Sequence, residues 1–196
     1  MNFLAHLYLS GADPKVKIGN FIGDFVKGRN LSEQFEAGIV KGIALHREID
    51  AFTDRHPVVR ESKIRLRPKY RHYSPVIIDV FYDHFLAANW ANYSDQLLAD
   101  FARDSYNTLE KYQALLPDQV NQMLPYMIKG NWLVGYSQVE GIHRALSGMA
   151  RRTPYESKME EATADLQLYY SEFQDEFDRF FPELKEFATQ WIATNR

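Results

Sequence analysis

The 196-residue chain contains no cysteine. That absence excludes disulfides, thiolate nucleophiles and cysteine-rich zinc sites, so any metal must be held by histidine, aspartate or glutamate. No apolar run approaches membrane-spanning length, and Met1-Asn2-Phe3-Leu4-Ala5-His6 lacks the basic region that opens a secretory signal. A cytoplasmic location with no membrane contact is therefore expected. Alternating apolar and polar runs bounded by turn dipeptides are missing too, which leaves an all-α fold, a multi-helix bundle of about eight to ten helices. There is no low-complexity linker, repeat or composition shift, and the eight prolines and ten glycines are scattered as punctuation. One helical domain over 1–196 is the expectation, with site-bearing helices in 1–90 and helical scaffold in 91–196.

What the chain does have is a stripe of ligand-type side chains. In Gly42-Ile43-Ala44-Leu45-His46-Arg47-Glu48-Ile49-Asp50-Ala51-Phe52-Thr53-Asp54, helical spacing puts His46, Asp50 and Asp54 one turn apart on one side of the cylinder. Ile39, Val40, Ile43, Ile49 and Phe52 occupy adjoining positions, so the stripe borders an apolar face. A hydrogen-bonded His46–Asp50 pair would suffice to explain two of these groups. Ionisable groups drawn toward an interior are otherwise paired or hold a metal.

Further polar groups sit in other predicted helices. Met1–Ser10, a short helix or strand, carries His6. Asp13-Pro14 is an N-cap followed by proline at the first helical position, and opens a helix to about Lys27 that Gly28 stops. This helix holds Asp24 one turn after Asn20, and Gly19 and Gly23 in the same block are small residues that let another element approach closely. Ser32 is a candidate cap for the helix bearing the stripe, which ends before His56-Pro57. Pro57 starts a basic segment whose helical part Pro68 ends. Ser74-Pro75 repeats the cap-then-proline signal and opens a helix to about Trp90 that carries Asp79, Asp83 and His84. Beyond it, Ser94 caps a helix to Leu116, Trp132 to Met149 is helical, and Arg151-Arg152 either closes a helix dipole or meets a phosphate. A long acidic amphipathic helix over Pro154–Phe181 and a short one after Pro182 complete the chain.

The net charge of −3 hides an uneven distribution. Arg60, Lys63, Arg65, Arg67, Lys69 and Arg71 stand against the single acid Glu61, whereas Glu156–Glu186 holds ten acids against three bases. A basic strip on an acidic protein either is a solvated face or steers an anionic partner. Mixed imidazole and carboxylate ligation without sulfur suits Mn²⁺, Mg²⁺, Fe²⁺ or a catalytic Zn²⁺. Such a site serves phosphoester hydrolysis, with Arg47 and the basic strip available to neutralise phosphate oxygens.

The chain resembles the bacterial acyl carrier protein phosphodiesterases. The resemblance is carried by Asn2-Phe3-Leu4-Ala5-His6, Gly19-Asn20-Phe21-Ile22-Gly23-Asp24-Phe25 and His46-Arg47-Glu48-Ile49-Asp50-Ala51-Phe52-Thr53-Asp54. It continues through Pro57-Val58-Val59-Arg60, Asp79-Val80-Phe81-Tyr82-Asp83-His84-Phe85-Leu86 with Trp90, and Gly148-Met149-Ala150-Arg151-Arg152. It implies a helical fold related to the HD phosphohydrolases and a Mn²⁺-preferring hydrolase. Its partner would be holo-acyl carrier protein, from which it removes 4′-phosphopantetheine, with neither nucleic acid nor membrane involved. By the same resemblance His6, Asp24, His46, Asp50 and Asp83 match metal-site positions, and Asp54, Asp79 and His84 match polar positions nearby. The adjacent His-Asp doublet that names the wider superfamily is absent and occurs only reversed, as Asp83-His84. The resemblance makes the basic strip a docking face for the acidic carrier protein. Two alternatives stand beside it: a metal phosphohydrolase of nucleotides or other small phosphoesters, and a non-enzymatic helical protein that binds a carrier protein.

Overall fold

The computed structural model describes residues 1–28 and 30–195. Among these the protein is all-α, with eleven α-helices joined by loops and short 3₁₀ turns. The helices are α1 (Phe3–Tyr8), α2 (Pro14–Ile22), α3 (Ala37–Arg55), α4 (Pro57–Tyr70), α5 (Ser74–Ala88), α6 (Leu98–Lys111), α7 (Asp118–Lys129), α8 (Trp132–Gly135), α9 (Val139–Arg152), α10 (Ala162–Leu168) and α11 (Tyr170–Thr194). No helix among the described residues is long and apolar enough to cross a membrane.

The core forms where α5 and α11 face each other. Phe81, Tyr82 and Phe85 of α5 interleave with Phe173, Phe177, Phe180 and Phe181 of α11, all fully buried. Edge-on pairs such as Phe81–Phe173 and Tyr82–Phe177, with centroids 5.2 and 5.6 Å apart, suit aromatic quadrupoles. This packing explains why Pro182 does not end a helix as the sequence suggested. Phe180, Phe181 and Leu184, buried on both sides of it, hold α11 continuous, and proline forfeits only one backbone bond there. Pro68 likewise lies inside α4, on its exposed side, and the helix runs on to Tyr70 before Arg71 turns the chain with φ of +50°.

Other boundaries shift for local reasons. Asp13 caps α2 as expected, its carboxylate accepting from the amides of Lys15 and Val16, but the α-helix stops at Ile22 and passes into a 3₁₀ turn over Gly23–Phe25. Ser32 lies in a separate 3₁₀ turn, and α3 begins only at Ala37. The Ser74 hydroxyl donates to the Arg71 carbonyl instead of capping α5. The segment expected as one helix from Trp132 is split into α8 and α9, and Pro154–Phe181 into a loop, α10 and the first half of α11.

The pair α2 and α3 matters most for the site. They cross with Gly19 against Gly42, where an added Cβ on Gly19 would lie 2.1 Å from the Ile39 carbonyl oxygen and 2.8 Å from the Gly42 Cα. Backbones this close bring side chains of both helices to one point beside α1.

Candidate metal centre

That point is organised by Asn20, a fully buried side chain of α2. Its Nδ2 donates to the His6 carbonyl at 2.7 Å and to Ser10 Oγ at 2.9 Å, which leaves Oδ1 as acceptor for His6 Nδ1–H at 2.8 Å. Its backbone carbonyl accepts from His46 Nδ1–H at 2.7 Å. Both imidazoles are thus fixed in the same tautomer, with Nε2 free to accept a proton or a metal. Orientation of ligating histidines by an outer hydrogen bond on the other ring nitrogen is what metal sites require.

One ring nitrogen of each histidine and a carboxylate oxygen of Asp50 all lie within 4.8 Å of one another. Asp50 Oδ2 is 3.1 Å from His46 Nε2, and Asp24 Oδ1 approaches the same nitrogen at 3.2 Å from the 3₁₀ turn after α2. His6 Nε2 is 3.3 Å from Asp50 Oδ1 but makes no hydrogen bond, although it is buried. An unpartnered buried nitrogen beside a carboxylate fits a ligand to a divalent cation, and the nitrogen and oxygen donor set fits the metals named above. Gly23 makes room for the cluster, since a Cβ there would lie 2.2 Å from the His46 ring.

Charge in the cluster is divided unequally. Burial, reinforced by the neighbouring His46, pulls His6 down to about 4. Burial also opposes charge on His46, but hydrogen bonds to Asp24 and Asp50 outweigh it and raise that imidazole to about 9. The hydrogen bond from His46 holds Asp24 below its ordinary value, and Asp50 is lowered by both histidines against its own burial. One proton therefore sits on His46 between two carboxylates, at the place a cation would take.

A cleft of about 1290 Å³ opens beside the cluster. Asn2, Phe3, Asp24 and Phe25 form its inner end. Met123 and Tyr126 of α7, Trp132 of α8 and Met149 of α9 supply apolar walls, while Arg144, Arg151 and Arg152 stand along α9. An exposed carboxylate, Asp24, thus joins the buried cluster to a largely apolar groove.

A family model described as acyl carrier protein phosphodiesterase matches residues 1–184. The chain belongs to the acyl carrier protein phosphodiesterase family. Relatives that carry this name include one from Photorhabdus laumondii, 34% identical over 193 residues, covering 96% of this chain and 95% of the relative. One from Enterobacter sp. (strain 638) is 34% identical over 185 residues, with 94% and 95% covered. One from Escherichia coli O6:H1 is 35% identical over 195 residues, with 97% and 98% covered. No solved structure matches the chain.

Of the residues the phosphodiesterase resemblance singled out, His6, Asp24, His46 and Asp50 come together, and the others lie in different surroundings. Asp83 is fully buried and receives the amides of Asn2, Leu4 and Ala5 at 3.2, 2.7 and 3.3 Å, so it caps α1, whose own Asn2 side chain does not. Burial pushes its carboxyl up to about 7 against the pull of the Met1 ammonium and these amides. Asp79 accepts from the Met1 amino group at 2.8 Å, and burial raises its carboxyl. His84 bridges the Tyr136 carbonyl and the Tyr170 hydroxyl at 2.8 and 2.9 Å. Asp54 is paired with Lys63 at 2.7 Å, and Arg47 donates to the carbonyls of Val26 and Gly28. Asn20, which orients both histidines, was missed as a site residue, although its place one turn before Asp24 in the Gly19–Phe25 block was visible.

The basic strip is not one free face. Lys63 is held by Asp54, Arg65 by Glu176 and Lys69 by Glu161 and Asp165. Among the described residues only Arg60, Arg67 and Arg71 of the strip make no ion pair.

Proposed function

We propose that the protein hydrolyses the phosphodiester joining 4′-phosphopantetheine to a serine of holo-acyl carrier protein, releasing the apo-protein and free 4′-phosphopantetheine in a Mn²⁺-dependent reaction. Family membership supplies the substrate class, and the observation that carries the chemistry is the convergence of ligand atoms of His6, His46 and Asp50 within 4.8 Å. His6, His46 and Asp50 are the holding set in this reading, and Asp24 stands beside it on the cleft side. A divalent cation held there would polarise the phosphodiester and lower the pKa of an attacking water.

The chain's own residues do the rest. Asn20 keeps both imidazoles aimed inward, so no reorganisation is needed when substrate arrives. Asp24, exposed at the inner end of the cleft, orients the water and receives its proton. Asp79 holds the Met1 amino group, which also lies 3.7 Å from Asp50. The apolar walls of the cleft accept the pantetheine arm, a flexible chain with few charges. Asp83, His84, Asp54 and Arg47 serve the framework: they cap α1, tie α5 to Tyr136 and Tyr170, hold Lys63 and fasten the loop after Phe25.

The test is conversion of the carrier protein. Metal-stripped protein is incubated with holo-acyl carrier protein with and without Mn²⁺, beside an Asp50→Ala sample, and the carrier protein is weighed by mass spectrometry. Loss of the phosphopantetheine mass only with Mn²⁺ and only in the unaltered protein supports the reading. No conversion under metal-replete conditions rejects it and turns attention to small phosphoesters.

A further inference from the structure

Arg151-Arg152 stands out in the sequence yet has no part in the chemistry above. In the structure both line the cleft, together with Arg144 two turns earlier on α9. All three are exposed, and none forms an ion pair or donates a hydrogen bond among the described residues. Glu156, the nearest acid in the loop that follows, is taken by Lys158 at 3.8 Å. Gly148 leaves space beneath Arg152, since a Cβ there would stay 3.8 Å from Nη1. Tyr126 on the facing α7 is 71% exposed and lines the same cleft.

Three uncompensated guanidiniums and an exposed aromatic beside a groove that ends at the metal cluster make a surface for an acidic protein. Arginine and tyrosine are the residues that anchor interfaces, and charges left free on one partner steer association with an oppositely charged one. The strip on α4 competes poorly, because Lys63, Arg65 and Lys69 already satisfy carboxylates of this chain. We propose that the substrate's acidic carrier protein docks on α9, over the mouth of the cleft, with its carboxylates on Arg144, Arg151 and Arg152. This rests on the carrier-protein phosphodiesterase reading and adds where the protein part of the substrate sits.

The geometry also agrees with the substrate's shape. A carrier protein seated on α9 can send its arm along the groove toward Asp24, whereas α4 contributes nothing to the cleft lining. Docking on α9 therefore serves binding and delivery through one contiguous surface.

The experiment measures binding of apo-acyl carrier protein, which lacks the arm, by titration calorimetry to the unaltered protein, to an R151E/R152E variant and to an R60E/R67E variant. Circular dichroism checks that each variant is folded. The expected result is a roughly tenfold weaker dissociation constant for R151E/R152E and a larger loss than for R60E/R67E. For holo-carrier protein the same R151E/R152E change should appear as a raised KM with kcat nearly retained. Equal binding by R151E/R152E and the unaltered protein, or a larger loss in R60E/R67E, overturns the docking assignment. Conversion of holo to apo by the unaltered protein is recorded in the same series. Failure of that conversion counts against the phosphodiesterase reading, whereas conversion with unchanged R151E/R152E binding counts against docking alone.

Discussion

The rings of His6 and His46 stack face to face, with centroids 3.9 Å apart and planes 14° from parallel. Two imidazolium ions cannot share that distance in a buried site, so one proton serves both. His46 holds it, at about 9, and His6 stays neutral down to about 4. The consequences for stability have opposite signs. Between about pH 4 and the ordinary histidine value of 6.5, the unfolded chain binds the His6 proton and the native state does not, so stability rises with pH. Between 6.5 and about 9 the native state keeps the His46 proton that the unfolded chain has lost, so stability falls. Asp83, whose carboxyl burial raises to about 7, opposes the His6 contribution over the acid range. The metal-free protein should therefore show its clearest change as a fall in thermal midpoint between pH 6.5 and about 9. His46→Asn should flatten the alkaline flank, and a midpoint that keeps rising from pH 6.5 to 9 would contradict the shared proton.

Asn20 touches both histidines from behind, so its removal should weaken metal binding without removing a ligand. Asn20→Ala takes away the acceptor for His6 Nδ1–H but keeps the backbone carbonyl that holds His46. Losses for outer hydrogen bonds of this kind run to about 10–100-fold in metal affinity. Titration of Mn²⁺ into the variant should fall in that range, while Asp50→Asn should bind too weakly to measure. Unchanged affinity in Asn20→Ala would mean that His6 is not a ligand.

Gly23→Ala tests whether the cluster depends on close approach of the turn after α2. The new methyl group would meet the His46 ring at 2.2 Å, and the ring has no free side to move toward, because His6 is stacked on it. Overpacking costs about 1–3 kcal/mol and is relieved by shifting side chains. The expected outcome is a folded protein with a modest loss of stability and a disproportionate loss of metal binding. Gly42→Ala should behave differently, because its methyl group would lie 2.2 Å from the Val16 carbonyl oxygen and force two backbones apart. There the loss should be chiefly of stability, read by denaturant midpoints.

How far the sequence alone carries is visible in these same residues. Helical periodicity was enough to establish the all-α class and to place His46 and Asp50 together, because one turn of a single helix determines that contact. His6 and Asp24 joined them through the resemblance, and the structure supplies the reason: Gly19, Gly42 and Gly23 let α2 and α3 touch. That Asp83 receives three amides of α1 was not legible in the sequence, since a carboxylate one turn after Asp79 looks the same whether it caps another helix or binds a metal. The internal pairing of the α4 strip was hidden for a similar reason. Its partners Glu161, Asp165 and Glu176 lie about a hundred residues away, beyond any local pattern. Prolines misled where tertiary packing of Phe180, Phe181 and Leu184 overrode local preference.

Arg65 gives the sharpest case of a basic residue whose work is internal. Its guanidinium grips Glu176 with contacts of 2.7 and 2.9 Å and lies over the Phe173 ring at 4.9 Å. The Glu176 side chain is only 4% exposed, and its carboxylate also accepts from Ser62, whose oxygen is 2.8 Å from the Tyr82 hydroxyl in the core. Removing the cation leaves a buried carboxylate without a counter-charge, a change that costs about 3–5 kcal/mol. Arg65→Ala should thus lower the thermal midpoint by roughly 10 °C in a protein of this size. Arg67→Ala, exposed and outside any ion pair among the described residues, should stay within about 0.5 kcal/mol of the unaltered protein. Replacing both partners, Arg65→Met with Glu176→Leu, should recover most of the loss, because an apolar pair of similar volume needs no compensating charge. If Arg65→Ala melts with the unaltered protein, Arg65 is not the counter-ion that Glu176 requires and is available to a partner after all. If the double replacement recovers stability, a raised KM in any Arg65 variant is to be read through folding and not as evidence that α4 meets the carrier protein.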